Sequence, residues 1–316
     1  MSDPRVSVII PAYNQARYLK QALDSALTQE RVSPDLIVID DGSQDETPEV
    51  LKEYEGRIRA LRQNNRGAAQ ARNSGLEMAE GKFIAFLDAD DRWLPGHLRK
   101  ALELLSQEPD VGLVYSDARV IDEAGRFEKL RNSPRTASLA SLVLGNFITT
   151  SSVVLRRECL ERCGTFDPAF RYASEDWDLW MRIAARYQLR HTGAILVEYR
   201  RHSESAIQKL GFKIRDNSLL ALEKAFSRNS EGSVGPDLPP DLRPRAEAAV
   251  YLESAVRCLA ALEPGLARKE TLKALRTYPW LARAWLLILL SLLGKPGMAL
   301  LLRLRRRASA EEKDAQ

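Results

Sequence analysis

The chain has 316 residues, enough for one large domain or two ordinary ones. Hydrophobic residues make up 45% and charged residues 28%, which excludes wholesale disorder, collagen and coiled coil. Lys and Arg number 47 against 43 Asp and Glu, a net charge of only +4, so nucleic acid is not an expected partner and any basic character that matters is local.

The first two hundred residues alternate apolar, β-rich runs with helical periodicity. Val6–Ile10 reads as a buried strand, followed by a helix around Tyr18–Leu27; Leu36–Ile39 is a second strand, ending in the turn cluster Asp41-Gly42-Ser43 before a helix at Thr47–Tyr54. Gly67–Ala79 reads as a helix, Phe83–Leu87 as another buried strand, and Pro95–Gln107 as a helix with proline in its first turn. Strands alternating with helices imply βαβ units and a largely parallel sheet covered on both faces. Ser151–Leu155 and Ile195–Tyr199 read as further strands, and Asp176–Tyr187 as an amphipathic helix with Trp177, Trp180, Met181 and Ala184 on one face.

Ser227–Pro244 holds four Pro, two Gly and three Ser in eighteen residues and is the expected linker. Four helical stretches follow, roughly 244–262, 266–277, 280–293 and 296–307, and then a polar tail, 308–316, expected to be disordered. The division is therefore 1–226, an α/β domain; 227–244, a linker; 245–307, a small all-α domain. Three cysteines fit a reducing compartment; Cys159 and Cys163, without a second ligand pair, read as core thiols rather than zinc ligands. The start of the chain runs straight into Val6, so no signal peptide is expected, and no run reaches the ~20 apolar residues of a bilayer span.

In parallel α/β sheets, ligands bind at the carboxyl ends of strands where the strand order reverses. The residues following the strands here are Pro11-Ala12-Tyr13-Asn14, Asp40-Asp41-Gly42-Ser43 and Asp88-Ala89-Asp90-Asp91, three polar clusters that should share one rim. Three carboxylates within four residues repel one another unless they face water or a cation sits among them, and hard oxygen donors suit Mg²⁺ or Mn²⁺ shared with a diphosphate. Asp91 is expected to cap the next helix, while Asp88, against the apolar strand, is costly as an idle charge. No G-x-G-x-x-G follows a strand, and Gly81-Lys82 is no Walker loop, because Phe83 replaces Ser/Thr and Gly75 stands one position too far away. Arg72 offers a cation, Ser174-Glu175-Asp176-Trp177 opens a helix with acids that serve either as caps or as a base, and His202 follows a strand either as a surface residue or as a metal ligand.

The succession Val6–Asn14, Val38–Asp45, Asn65-Arg66-Gly67 with Ala71-Arg72-Asn73, Phe86–Asp91 and Ser174–Asp178 resembles the family 2 glycosyltransferases over roughly residues 5 to 205. The resemblance implies a GT-A fold, a Rossmann-like mixed α/β sheet, here followed by the small helical domain. It also implies an inverting transfer from a nucleoside-diphosphate sugar to a hydroxyl of a glycan or lipid-linked acceptor. By position it places Pro11, Ala12, Tyr13, Asn14, Asp41, Gly67, Arg72, Asp88 and Ala89 at the nucleotide sugar, Asp41 on the base and Asp88 near the ribose. Asp90 and His202 become ligands of Mn²⁺ or Mg²⁺, Asp176 the catalytic base, and Glu175 and Trp177 a platform for sugar or acceptor. The Gln-x-x-Arg-Trp motif of processive polymerases is absent, so single addition is expected. A sugar-phosphate nucleotidyltransferase and a non-catalytic sugar-nucleotide-binding scaffold are the alternatives.

Residues 284–293 are apolar on all faces, and between 284 and 307 there are five cations and no acid. Either this is the inner helix of the α-domain with a solvated basic end, or residues 280–307 dock on an anionic membrane. The expected location is cytoplasmic, with the second reading adding peripheral contact at the inner face of the plasma membrane.

Overall fold

The computed structural model describes residues 6–170, 173–202, 212–230, 238–292 and 294. The first half is strand–helix alternation: β1 (Val6–Ala12), α1 (Ala16–Leu27), β2 (Asp35–Asp40), α2 (Thr47–Lys52), β3 (Arg59–Arg62), α3 (Ala68–Met78) and β4 (Phe83–Phe86). Next come β5 (Arg92–Trp93), α4 (His97–Gln107), β6 (Val111–Ile121), β7 (Phe127–Arg131), β8 (Thr136–Ala137) and α5 (Leu139–Leu142). A 3₁₀ turn at Thr150–Ser152 leads into β9 (Val154–Arg156), α6 (Arg157–Cys163), α7 (Glu175–Ala184) and β10 (Gln188–Arg200). The remaining helices are α8 (Phe212–Ser230), α9 (Leu242–Ala260), α10 (Pro264–Thr277) and α11 (Ala282–Leu292).

One ten-stranded sheet runs β3-β2-β1-β4-β9-β6-β10-β5, with β7 on β6 and β8 on β10. β1 pairs parallel with both β2 and β4, so the chain builds outward from β1 and then returns to its other side. The strand order therefore reverses between β1 and β4, which fixes where a ligand crevice opens. The sheet becomes mixed at β9, which pairs antiparallel with both β4 and β6. Alternate side chains of the buried strands feed two cores: Ile9, Ile37, Ile39, Ile84 and Phe86 enter one cluster, and Val8, Ile10, Val38, Ala85 and Leu87 the other. Period-two alternation with both faces apolar is what a sheet covered by helices on each side requires.

Several expectations are revised. Pro95 lies before α4, whose N-cap is Gly96 in the left-handed region, rather than in its first turn. Ser151 and Ser152 belong to the 3₁₀ turn, and the strand read at Ile195–Tyr199 is the end of the thirteen-residue β10. The linker is shorter than its composition suggested: residues 227–230 belong to α8 and Leu242 already begins α9. Leu242, Ala246 and Val250 of α9 share a buried cluster with Trp180 and Leu155, so the first of the late helices is part of the main core. The stretch 296–307 and the tail 308–316 lie outside the described residues.

His97 opens α4 fully buried, its ring stacked on Trp93 at 4.4 Å between centroids, and neither ring nitrogen has a hydrogen-bond partner among the described residues. Burial pushes its pKa down from 6.5 to about 3, so the fold holds a neutral imidazole while the unfolded chain protonates one. The unfolded state then binds more protons between these values, and stability falls as pH drops through that window, by about 2 kcal/mol at pH 5 from this group. Chemical denaturation of His97→Leu at pH 7.5 and pH 5 is expected to show a flatter pH dependence than the parent; an unchanged slope would remove His97 as the source.

Candidate active site

The rim is built where β1 and β2 end. Asn14 adopts a left-handed φ of 54°, and its backbone N–H donates to Ser43 Oγ at 2.9 Å while its Oδ1 accepts from Gln44 N at 2.7 Å. Gln15 N donates to Thr47 Oγ1 at 2.9 Å and Ala16 N to Asp45 Oδ2 at 3.0 Å, so the two strand ends are laced into one surface. Tyr13 stands 44% exposed on that surface. Asp41 is buried and accepts three hydrogen bonds: Gln63 Nε2 at 2.7 Å and Arg66 N at 2.9 Å on Oδ1, and Gly67 N at 2.8 Å on Oδ2. Three of the four acceptor positions of its carboxylate are thus used to seat the loop that starts α3. Gly42 lies so close to that loop that a Cβ would sit 3.0 Å from Asn65 N. A cleft of about 720 Å³ opens beside it, lined by Gly42, Ser43, Gln44 and Arg62 to Asn65.

Arg72, one turn into α3, is buried and bridges two distant acids. Its Nη2 donates to Asp88 Oδ1 and its Nη1 to Glu175 Oε1, each at 2.7 Å. The guanidinium also lies 5.4 Å from the Phe166 ring centroid. Burial works against its charge, but Asp88 and Glu175 outweigh it and hold Arg72 firmly protonated. Burial raises Asp88, Arg72 opposes, and the charges of Asp90 and Asp176 push it further up; burial likewise raises Glu175, with Arg72 opposing and Asp176 adding. Arg72, expected beside the nucleotide, bridges two carboxylates, and Glu175, expected as a sugar platform, is one of its two partners.

Asp90 and Asp91 diverge. Asp91 accepts from Ser151 Oγ at 2.6 Å and Arg200 N at 2.9 Å, and burial, with the charges of Asp90 and Asp88 beside it, raises its pKa well above its ordinary value. It anchors the loop to the neighbouring turn and strand and does not cap α4. Asp90 Oδ2 meets His202 Nε2 at 2.9 Å, and its backbone carbonyl accepts from Arg200 Nε at 2.9 Å. His202 is buried against the Tyr18 ring, 5.1 Å between centroids, not displayed on the surface. One carboxylate and one imidazole therefore converge; among the described residues no group of three or more His, Cys, Asp or Glu is placed to hold a metal. A carboxylate oxygen and an imidazole nitrogen are donors that could hold a divalent ion completing its shell with diphosphate and water.

Asp176 lies in the first turn of α7 after Ser174, whose φ is 72°. Its Oδ2 accepts from Asn146 Nδ2 at 3.1 Å and Thr150 Oγ1 at 3.0 Å, and its Oδ1 from Trp177 N at 2.7 Å. Trp177 is 4% exposed, its indole donates to Leu142 O at 2.7 Å, and Trp180 is fully buried between Phe86 and Phe166, so neither offers a face to a sugar. The tryptophans of the helix are core residues. Asn146, Thr150, Ser151 and Gln63 were missed; the one signal was the run Thr149-Thr150-Ser151-Ser152, four hydroxyls in a row before an apolar strand, all buried.

The family model for glycosyl transferase family 2 matches residues 7–177, more than half of the chain. An uncharacterized glycosyltransferase of Rickettsia felis is 31% identical over 217 residues, covering 66% of this chain and 36% of that protein, so the chain spans about a third of that relative's length. A putative teichuronic acid biosynthesis glycosyltransferase, TuaG of Bacillus subtilis, is 32% identical over 159 residues, covering 49% of this chain and 63% of that one. The solved mannosyltransferase PcManGT from Pyrobaculum calidifontis, in complex with GDP-Man and Mn²⁺, superposes with a TM-score of 0.59 at 21% identity, covering 95% of this chain and 87% of its own. The sheet order and this likeness show the GT-A fold, and the chain belongs to glycosyl transferase family 2.

Proposed function

We propose that the chain transfers a sugar from a nucleoside-diphosphate sugar to an acceptor hydroxyl with inversion, using Asp176 as general base. The observation that carries this is the joining of three acids remote in sequence: Asp41 seats the start of α3, and Arg72 of that helix grips Asp88 and stands against Glu175, the neighbour of Asp176. The nucleotide lies over Pro11, Ala12, Tyr13 and Asn14, with Tyr13 free to cover the base, Asp41 and Gly67 at its edge, and Asp88 and Ala89 beneath the ribose and diphosphate. Asp90 and His202 hold a divalent ion, which when bound neutralises charge on the diphosphate as the sugar leaves.

Asp176 takes the acceptor's hydroxyl proton on a carboxylate oxygen. The freed oxygen lone pair forms the new bond to the anomeric carbon, and the old bond breaks with its electron pair departing on the nucleoside diphosphate. A single base and attack opposite the leaving group invert the centre. The name of the Bacillus relative supports a cell-envelope glycan, free or lipid-linked, as acceptor.

The late helices support contact with a membrane surface. No helix among the described residues is long and apolar enough to cross a membrane. α11 buries Ala284 and Ser291 and leaves Leu286, Leu289 and Leu292 57%, 63% and 60% exposed, with Trp285 beside them. Those leucines, each three residues from the next, form one stripe, and the chain just beyond carries the basic residues Lys295, Arg303 and Arg305 to Arg307.

Asp176→Asn is expected to bind donor as the parent does, by calorimetry, while transfer falls by about three orders of magnitude; full turnover would remove Asp176 from the chemistry. Asp90→Ala is expected to lose the Mn²⁺-dependent part of the thermal shift given by GDP or UDP, and chelation to do the same to the parent; a shift indifferent to both would exclude the ion from this site. On anionic phosphatidylglycerol vesicles the full chain is expected to sediment and the Leu286→Ser/Leu289→Ser/Leu292→Ser variant to stay in solution, with neither binding zwitterionic vesicles. Equal sedimentation of both would exclude the α11 stripe.

A further inference from the structure

We infer that the 3₁₀ turn at Thr150–Ser152 sets the base against the acidic loop, with Thr150 and Asn146 as positioning residues that dedicate one oxygen of Asp176 to proton transfer; this rests on the reading of Asp176 as the base. Two consecutive hydroxyls of the turn serve opposite sides of the reaction centre. Thr150 Oγ1 donates to Asp176 Oδ2 at 3.0 Å. Ser151 Oγ donates to Asp91 Oδ2 at 2.6 Å and accepts the backbone N–H of Asp88 at 3.1 Å, so one side chain fixes both ends of the loop that carries Asp90. The turn itself is rigid: Thr149 O accepts Ser152 N at 2.9 Å and Ser152 Oγ at 2.7 Å, and Ser151 O accepts the Trp93 indole at 2.7 Å. All three turn residues are buried.

The hydrogen bonds distinguish the two oxygens of Asp176. Oδ2 takes Asn146 Nδ2 and Thr150 Oγ1, which uses both of its lone-pair positions. Among the described residues Oδ1 takes only the N–H of Trp177, which leaves one of its acceptor positions open. The acceptor's proton therefore goes to Oδ1, and the Oδ2 donors stop the carboxylate from rotating away. Asn146 is itself held by Ile148 N on its Oδ1 at 3.2 Å, so its amide is oriented before Asp176 arrives. Loss of either donor frees a torsion at the reacting group, and a misplacement near 1 Å is enough to cost about 100-fold in rate.

Steady-state kinetics of Thr150→Val and Thr150→Ser, with Asp176→Asn alone and combined, test this. Thr150→Val is expected to lower kcat about 10- to 100-fold with donor KM and nucleoside-diphosphate affinity unchanged. Thr150→Ser should recover to within about threefold, and Thr150→Val should cost nothing further in the Asp176→Asn background. If Asp176→Asn is inactive yet Thr150→Val turns over like the parent, the positioning role is overturned while the base stands; if Asp176→Asn is fully active, the base reading itself has failed. A loss in Thr150→Val that Thr150→Ser does not repair, or that appears equally in donor KM, marks a structural role and also overturns it. Should Thr150→Val fold poorly, Asn146→Ala reads the same oxygen from its other donor and must give the same split.

Discussion

Arg72 is the constraint on which the candidate site depends. Three segments remote in sequence, the end of β4, the middle of α3 and the start of α7, meet because one buried guanidinium bridges Asp88 and Glu175. Burying such charges is costly, and the arrangement stands only while each partner is present; removing one member of a buried pair costs about 3–5 kcal/mol because the other is left uncompensated. The helix that carries Arg72 is equally constrained. Its first turn hangs on Asp41, and at Gly75 it approaches β1 so closely that a Cβ would lie 2.6 Å from Ile9 Cγ2. α3 thus acts as a short strut from the end of β2 to α7, and its placement follows from packing that a larger residue at 75 would disturb.

Much of the rim was legible in the sequence because it follows from topology. Polar clusters after apolar strands must lie at strand ends, and the chain's return across β1 to β4 puts Pro11 to Asn14, Asp41 and Asp88 to Asp90 on the same edge. What was not legible depends on tertiary closure. Trp177 and Trp180 fall on one helical face in either case, and whether that face meets a sugar or a core is decided by Phe86, Phe166 and Leu142, which come from elsewhere in the chain. Arg72's two carboxylate partners lie 16 and 103 residues away, beyond what local sequence reveals. β6 escaped notice since Tyr115-Ser116-Asp117 interrupts its apolar run, though all three are buried in the sheet.

The C-terminal helices divide between two environments. α8 packs on α7, and α9 packs on α8 while contributing Leu242, Ala246 and Val250 to the buried cluster that also holds Trp180. α11, at the far end, buries little and shows leucine outward. One segment therefore combines an attachment to the main core with an outward apolar surface.

The claim that these residues form a single reaction centre is tested most directly by anomalous scattering from crystals grown with Mn²⁺ and a nucleoside diphosphate. The account predicts one manganese peak in contact with Asp90 and His202, with the diphosphate beside it and the base over Tyr13 on the same rim. Manganese bound elsewhere, or a nucleotide seated away from Asp41 and Asp88, would contradict it.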